Sequence, residues 1–170
     1  MTFSLGEIRA MALKATRGAG YPWGLAEEAG QATTWLCAHA LPGCEALAAL
    51  LARNLAAELS AHSPRGPEWD APRDLCPLIT GAALCDNATR LTRGPLLLPP
   101  VAEPLLLLPF LALVSADTGQ PLAMVTDGFH ARTDGDALET EGKLPRHACD
   151  IVLRRDDPPG VVNAGMPLVP

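Results

Sequence analysis

The sequence predicts an α+β fold, with three N-terminal helices packed on an antiparallel sheet of four or five strands. Three observations lead there. Residues 5–62 repeat apolar side chains at helical spacing, and the prolines and glycine of "SPRGPEWDAP" (Ser63–Pro72) end that pattern. Further on, Asp127-Gly128 and Asp134-Gly135 separate short segments of alternating polarity, a strong hairpin signal. One domain over residues 1–155 follows from this, with an extended Pro/Gly-rich tail over 156–170.

The first helix starts near Leu5, because Ser4-Leu5-Gly6-Glu7 has the form of a capping box, and it carries Leu5, Ile8, Met11, Ala12 and Ala15 on one face. Arg17 and the glycines after it end it. Leu25, Ala29, Ala32 and Leu36 define a second helix from about Gly24 to Ala40, stopped by Leu41-Pro42-Gly43. The stripe Leu47, Leu51, Leu55, Leu59 predicts a third from Cys44 to about His62, antiparallel to the second across a short connection. A shorter helix falls within Cys76 to Arg90, ending near Asp86-Asn87.

The second half reads as strands. Leu105 to Ser115 is apolar and β-compatible, with Pro109 forcing a bulge, an edge position or a late start. If both Asp-Gly pairs close two-residue turns, Val125 faces His130, Met124 faces Ala131, His130 faces Glu139 and Ala131 faces Leu138. Leu122, Met124, Phe129, Ala131 and Leu138 then lie inside, and His130, Arg132, Glu139 and Glu141 outside. A last strand, about Ala148 to Arg154, turns Cys149, Ile151 and Leu153 inward.

Composition narrows the function classes. The 19 acidic and 13 basic residues of the 170 give a formal charge of −6, which argues against nucleic-acid and anionic-membrane partners. No stretch approaches the ~20 apolar residues of a membrane span, and residues 1–16 do not form a signal peptide. Cys37, Cys44, Cys76, Cys85 and Cys149 are odd in number and hold no C-x-x-C, so free, mostly buried thiols and a cytoplasmic location are expected.

The candidate site is "RGAGYPWGLAEEAG", Arg17 to Gly30. Its glycines look like a dinucleotide fingerprint, but a helix and not a strand precedes them, and Glu27 and Glu28 oppose a phosphate at the following helix N-terminus. Two readings remain. Tyr21, Pro22 and Trp23 plug the core at a helix corner, or Tyr21 and Trp23 form the aromatic wall of a small-molecule pocket with Arg17, Glu27 and Glu28 as its polar groups.

Other constellations are weaker. Cys37 and His39 point to nearly opposite sides of a helix, while His147 and Cys149 would share a strand face but need further ligands, so no metal or cofactor is implied. Cys76 or Cys85 beside His130 or His147 is a formal nucleophile–base option lacking a visible activating neighbour. Trp35 and His39 share a helix face, suited to an interface or to covering the sheet. The Leu96 to Leu108 segment carries enough leucine to expose apolar surface, which predicts a homodimer.

The run "SLGEIRAMALKATRGAGYPWGLAEEAGQATTWL", with "CPLITGAALCDNA" and "PLLLLPF", resembles a bacterial domain-of-unknown-function family. Arg17 to Gly20, Trp23-Gly24-Leu25 and Glu27 to Gly30 are the most specific part of the likeness. The resemblance implies no activity, and implies a longer chain whose polar, Gly-rich C-terminal region "VVNAGMPLVP" does not match. With no nucleophile, base and orienter to assemble, the expected function is non-catalytic binding or assembly. The alternative is an enzyme or ligand sensor for a small metabolite, with its pocket at Arg17–Gly30.

Overall fold

The computed structural model describes residues 3–143 and 150–156. Its first helix, α1 (Leu5–Gly18), opens with the capping box: Glu7 N donates to Ser4 Oγ at 3.2 Å, and the Glu7 carboxylate accepts from Ser4 N at 2.8 Å. Those bonds hold the Glu7 carboxyl below its usual range. The buried face of α1 differs from the expected one. Ala12 and Thr16 are buried, whereas Leu5 and Met11 are 46% and 60% exposed. The reason lies in α2 (Trp23–Ala38), which presents Gly30 to α1. A Cβ there would lie 3.1 Å from Arg9 O and 3.6 Å from Leu13 Cβ, so the closest approach is set on the Arg9–Leu13 side, opposite Met11, while Leu5 is exposed as the first residue of the helix.

Helix α3 (Gly43–Ala52) packs tightly on α2 through Gly43, where a Cβ would be 2.7 Å from Thr33 O. The expected continuation to His62 fails at Asn54. That residue adopts a left-handed φ of 53°, a conformation asparagine tolerates better than most side chains, and Leu55–His62 follow as 3₁₀ turns broken at Glu58 (φ −133°). Leu47 and Leu55 still reach the core on either side of the break. Helix α4 (Pro77–Asp86) ends at the expected place, with Pro77 in its first turn, where no backbone donor is lost.

The strand expected over Leu105 to Ser115 is instead helical: a 3₁₀ turn at Pro104–Leu107 leads into α5 (Leu108–Thr118). Every residue from Pro104 to Ala112 is buried, so the run carries no periodicity to separate helix from strand, and Pro109 occupies a first-turn position where proline suits a helix. Gly119 closes α5 with φ 63°.

The sheet comprises β1 (Leu96–Leu98), β2 (Leu122–Thr126), β3 (Phe129–Thr133), β4 (Leu138–Gly142) and β5 (Ile151–Arg155), antiparallel throughout in the order β1-β5-β2-β3-β4. Asp127-Gly128 closes β2 on β3 in the expected register, Val125 opposite His130 and Met124 opposite Ala131. Asp134-Gly135 does not close a two-residue turn. His130 faces Glu141 and Ala131 faces Thr140, two residues away from the expected Glu139 and Leu138. Local hydrogen bonds lengthen the loop: the Asp134 carboxylate accepts from Asp136 N (3.1 Å) and Ala137 N (2.8 Å), and Thr133 Oγ1 donates to Ala137 O (2.8 Å). A shift of two preserves the faces, so Phe129, Ala131 and Thr133 point inward and Glu139 and Glu141 outward as the alternation requires.

In β5, Ile151 and Leu153 are buried as expected; Cys149, and the tail over 157–170, fall outside the described residues. Helix α5 meets β2 and β3 on one side and α2 and α4 on the other, and Ser115 Oγ donates to Thr133 O (3.2 Å), tying it to the sheet. The fold class is α+β, with the N-terminal helices preceding the sheet in the chain. No described helix is long and apolar enough to cross a membrane.

Candidate functional site

The Arg17–Gly30 stretch separates into an inner and an outer part. Tyr21 is wholly buried and its hydroxyl lies 3.9 Å from Cys76 Sγ, so this ring plugs the corner between α1 and α2. Burial, then the neighbouring Cys76, push the Tyr21 hydroxyl far up from its usual range. Trp23 is 59% exposed and belongs to the surface, with the Arg17 guanidinium carbon 5.9 Å from its ring centroid, a cation–π distance. Arg17 also donates to Tyr21 O at 2.5 Å. Glu27 is exposed and Glu28 half-buried. The corner reading therefore fits Tyr21 and not Trp23.

An open groove of about 610 Å³ lies elsewhere, lined by Arg53, Asn54, Glu58, His62, Arg73 and Asp74 together with Leu55 and Ala57. That volume is in the range of small-molecule sites, ~300–1,000 Å³. Its wall follows from the break after α3. The left-handed Asn54 reverses the chain, the 3₁₀ turns carry Glu58 and His62, and the proline-rich loop then doubles back: Arg73 N donates to Ala61 O (3.2 Å) and Cys76 N to His62 O (2.8 Å). Residues more than ten positions apart thus come face to face. Arg53 Nη2 pairs with Asp74 Oδ2 at 2.6 Å, and Arg73 Nη1 with Glu58 Oε2 at 3.0 Å.

His62 is the buried member, 6% exposed. Its Nδ1 stands 2.7 Å from Asp74 O, and because a carbonyl only accepts, we assign a hydrogen to Nδ1 as the donor. Each guanidinium has five donors and spends few of them on its carboxylate partner, so both arginines keep hydrogen-bonding capacity toward an occupant. The arrangement gathers charges of both signs around one opening. Sequence reasoning passed over these residues as a helix end and a loop; the visible signal was Arg53-Asn54, a polar pair between Leu51 and Leu55.

The thiols considered as nucleophiles are poorly placed for that role. Burial pushes Cys76 up, and burial followed by Glu28, Asp86 and Asp117 pushes Cys85 up to about 11. His130 lies on β3 opposite Val125 and Glu141, and His147 lies outside the described residues. Trp35 and His39 stack on each other with ring centroids 3.9 Å apart. Among the described residues, no group of three or more His, Cys, Asp or Glu side chains is placed to hold a metal ion. The described cysteines are less buried than expected, with Cys76 buried, Cys37 and Cys85 half-buried and Cys44 exposed.

Residues 3–76 match a family model described as "Protein of unknown function (DUF3726)". The match covers less than half of the chain and ends at Cys76, short of the "PLLLLPF" stretch that the sequence resemblance also took in. It includes α1 to α3 and the whole lining of the cavity, Arg53 to Asp74. No curated protein and no solved structure matches the chain.

Proposed function

We propose that the protein is a non-catalytic binding protein whose ligand is a small amphoteric metabolite held in the Arg53–Asp74 cavity. The observation that carries this reading is the pairing of two guanidiniums with two carboxylates around one cavity of ligand size. An anionic group on the ligand meets the free donors of Arg53 and Arg73, and an ammonium or hydroxyl donates to Glu58 or Asp74. Both carboxylates are engaged by guanidiniums, which suits recognition better than proton transfer. The cytoplasm is the compartment this reading assigns to the protein.

Arg73→Ala tests it. The Arg73–Glu58 pair is well exposed, 61% and 59%, so its loss is expected to change stability by less than ~1 kcal/mol. A thermal-shift screen of amino acids, amino sugars and other amphoteric metabolites is expected to find a compound that raises the melting temperature of the wild type and not of Arg73→Ala. A screen in which no such compound stabilises the wild type, or in which Arg73→Ala responds equally, would refute the site. A second reading, turnover of the bound molecule, is favoured by His62 alone. Product formation abolished by His62→Gln while binding survives would decide for it.

Assembly is part of the proposal, on grounds that differ from the sequence expectation. The leucines of the Leu96 to Leu108 segment are interior apart from Leu97, which is 67% exposed. Apolar exposure concentrates instead on α1 and the residues before it, where Phe3 (50%) and Met11 (60%) flank a groove of about 300 Å³ shared with Leu47 and Leu51. A second copy offers the same ridge and groove, as a two-fold contact needs. Light scattering at tens of micromolar is expected to give twice the chain mass, and Met11→Glu half of that. A wild-type monomer would remove the dimer.

A further inference from the structure

We propose that Cys37 and Cys44 are a redox-active thiol pair that closes to an intramolecular disulfide across the α2–α3 corner. Their Sγ atoms are 3.8 Å apart, within sulfur hydrogen-bond distance, one in the last turn of α2 and the other in the first turn of α3. The S–S bond is ~2.05 Å long, and rotation about the two Cα–Cβ bonds is the motion that closes the gap. The corner holds the thiols in place. Gly43, beside Cys44, sits so close to α2 that a Cβ would be 2.8 Å from Leu36 Cβ and 3.3 Å from Cys37 Sγ.

Both thiols are reachable from solvent, Cys37 half-buried and Cys44 exposed, unlike the interior Cys76. Partial burial and the neighbouring Cys37 sulfur raise the Cys44 thiol above its ordinary range, so Cys44 rests as a thiol at neutral pH. Such a disulfide in a reducing compartment is transient and regulatory, not structural.

The oxidant is a peroxide. One thiol, as its thiolate, attacks a peroxide oxygen, the O–O bond breaks, and a sulfenic acid forms with release of water once a proton is taken up. The second sulfur then attacks the sulfenic sulfur, the S–O bond breaks, and water leaves as the S–S bond forms. Two thiols and one hydrogen peroxide become one disulfide and two waters, with two electrons passing from sulfur to oxygen. Cys44 also lines the apolar groove of α1, so closure withdraws its thiol from that wall.

The two cysteines lie in one tryptic peptide, residues 18–53, which contains no internal Lys or Arg. The reduced full-length protein is treated with stoichiometric hydrogen peroxide, alkylated with N-ethylmaleimide and digested. The expected result is a peptide lighter by two hydrogens that takes up no maleimide, and takes up two after reduction, while the Cys76 and Cys85 thiols remain alkylatable once the protein is unfolded. Cys44→Ser is expected to stop at a Cys37 sulfenic acid that dimedone traps. Full alkylation of peptide 18–53 after oxidation, its cross-linking to another cysteine peptide, or oxidation to sulfinic acid without an S–S bond would each overturn the proposal.

Discussion

Tyr21→Ala is expected to lower the unfolding free energy by about 3–5 kcal/mol, the range for deleting a buried aromatic ring. The ring is wholly inaccessible, belongs to the continuous core, and stands in the angle between α1 and α2, where truncation leaves a void. The neighbouring aromatic should behave quite differently. Trp23 is 59% exposed and touches Arg17 from outside, so Trp23→Ala is expected to cost no more than ~1 kcal/mol. Tyr21→Phe separates the hydroxyl from the ring. The O–H···S contact to Cys76 is long, 3.9 Å, and its removal is expected to change stability by less than ~1 kcal/mol. Urea unfolding followed by far-UV circular dichroism measures all three, and a Trp23→Ala loss exceeding that of Tyr21→Ala would contradict this division.

Gly81→Ala is expected to destabilise the protein although it improves helix propensity. Alanine in the interior of α4 gains roughly 1 kcal/mol over glycine. The Cβ it adds would sit 2.2, 2.3 and 2.7 Å from Cδ2, Cγ and Cε2 of Phe110 on α5. Three ring atoms at those distances cannot be relieved by a torsion at the far end of a side chain, and Phe110 is itself 1% exposed, so its ring cannot swing out to solvent without leaving the core. Overpacking of this kind costs about 1–3 kcal/mol, occasionally more, and this contact belongs at the upper end, so the net loss is expected at roughly 2 kcal/mol. Adding Phe110→Leu should recover part of it, as a contact-coupled pair does. A stabilised Gly81→Ala would show that the α4–α5 spacing is not set by this contact.

Both expectations come from long-range packing, and they mark where sequence reading stopped. The capping box at Ser4 and the Asp127-Gly128 hairpin were legible because each is closed by hydrogen bonds within a few residues. The second Asp-Gly failed for a similar reason at shorter range: the Asp134 side chain competes for the backbone and lengthens the turn, and nothing in the alternating pattern registers a shift of two. Leu105 to Ser115 failed because all of it but Leu113 is buried, and a buried helix shows the same unbroken apolar run as a buried strand. Part of the candidate cavity was visible as Arg53-Asn54 and as the charges of "PRGPEWDAPRD", but their meeting was not. It needs a chain reversal at Asn54 and a return loop that places Asp74 against Arg53, 21 residues earlier.

By itself, then, the sequence determined the α+β class, the order of the N-terminal helices, the inward residues Leu122 and Met124 of β2 and Phe129 and Ala131 of β3, and an acidic chain with Ser4 and Asp127-Gly128 as local punctuation. Those properties depend on periodicity and on turn chemistry, which are written in neighbouring residues. The tertiary structure alone decided that Tyr21 and not Trp23 enters the core, that Gly30 turns Met11 outward, that α5 stands where a strand was expected, and that Arg53, Glu58, His62, Arg73 and Asp74 line one cavity. Each of these depends on which distant surface a side chain meets. Free energies of burial and contact are set by that partner, and local propensities smaller than ~1 kcal/mol per residue cannot select it.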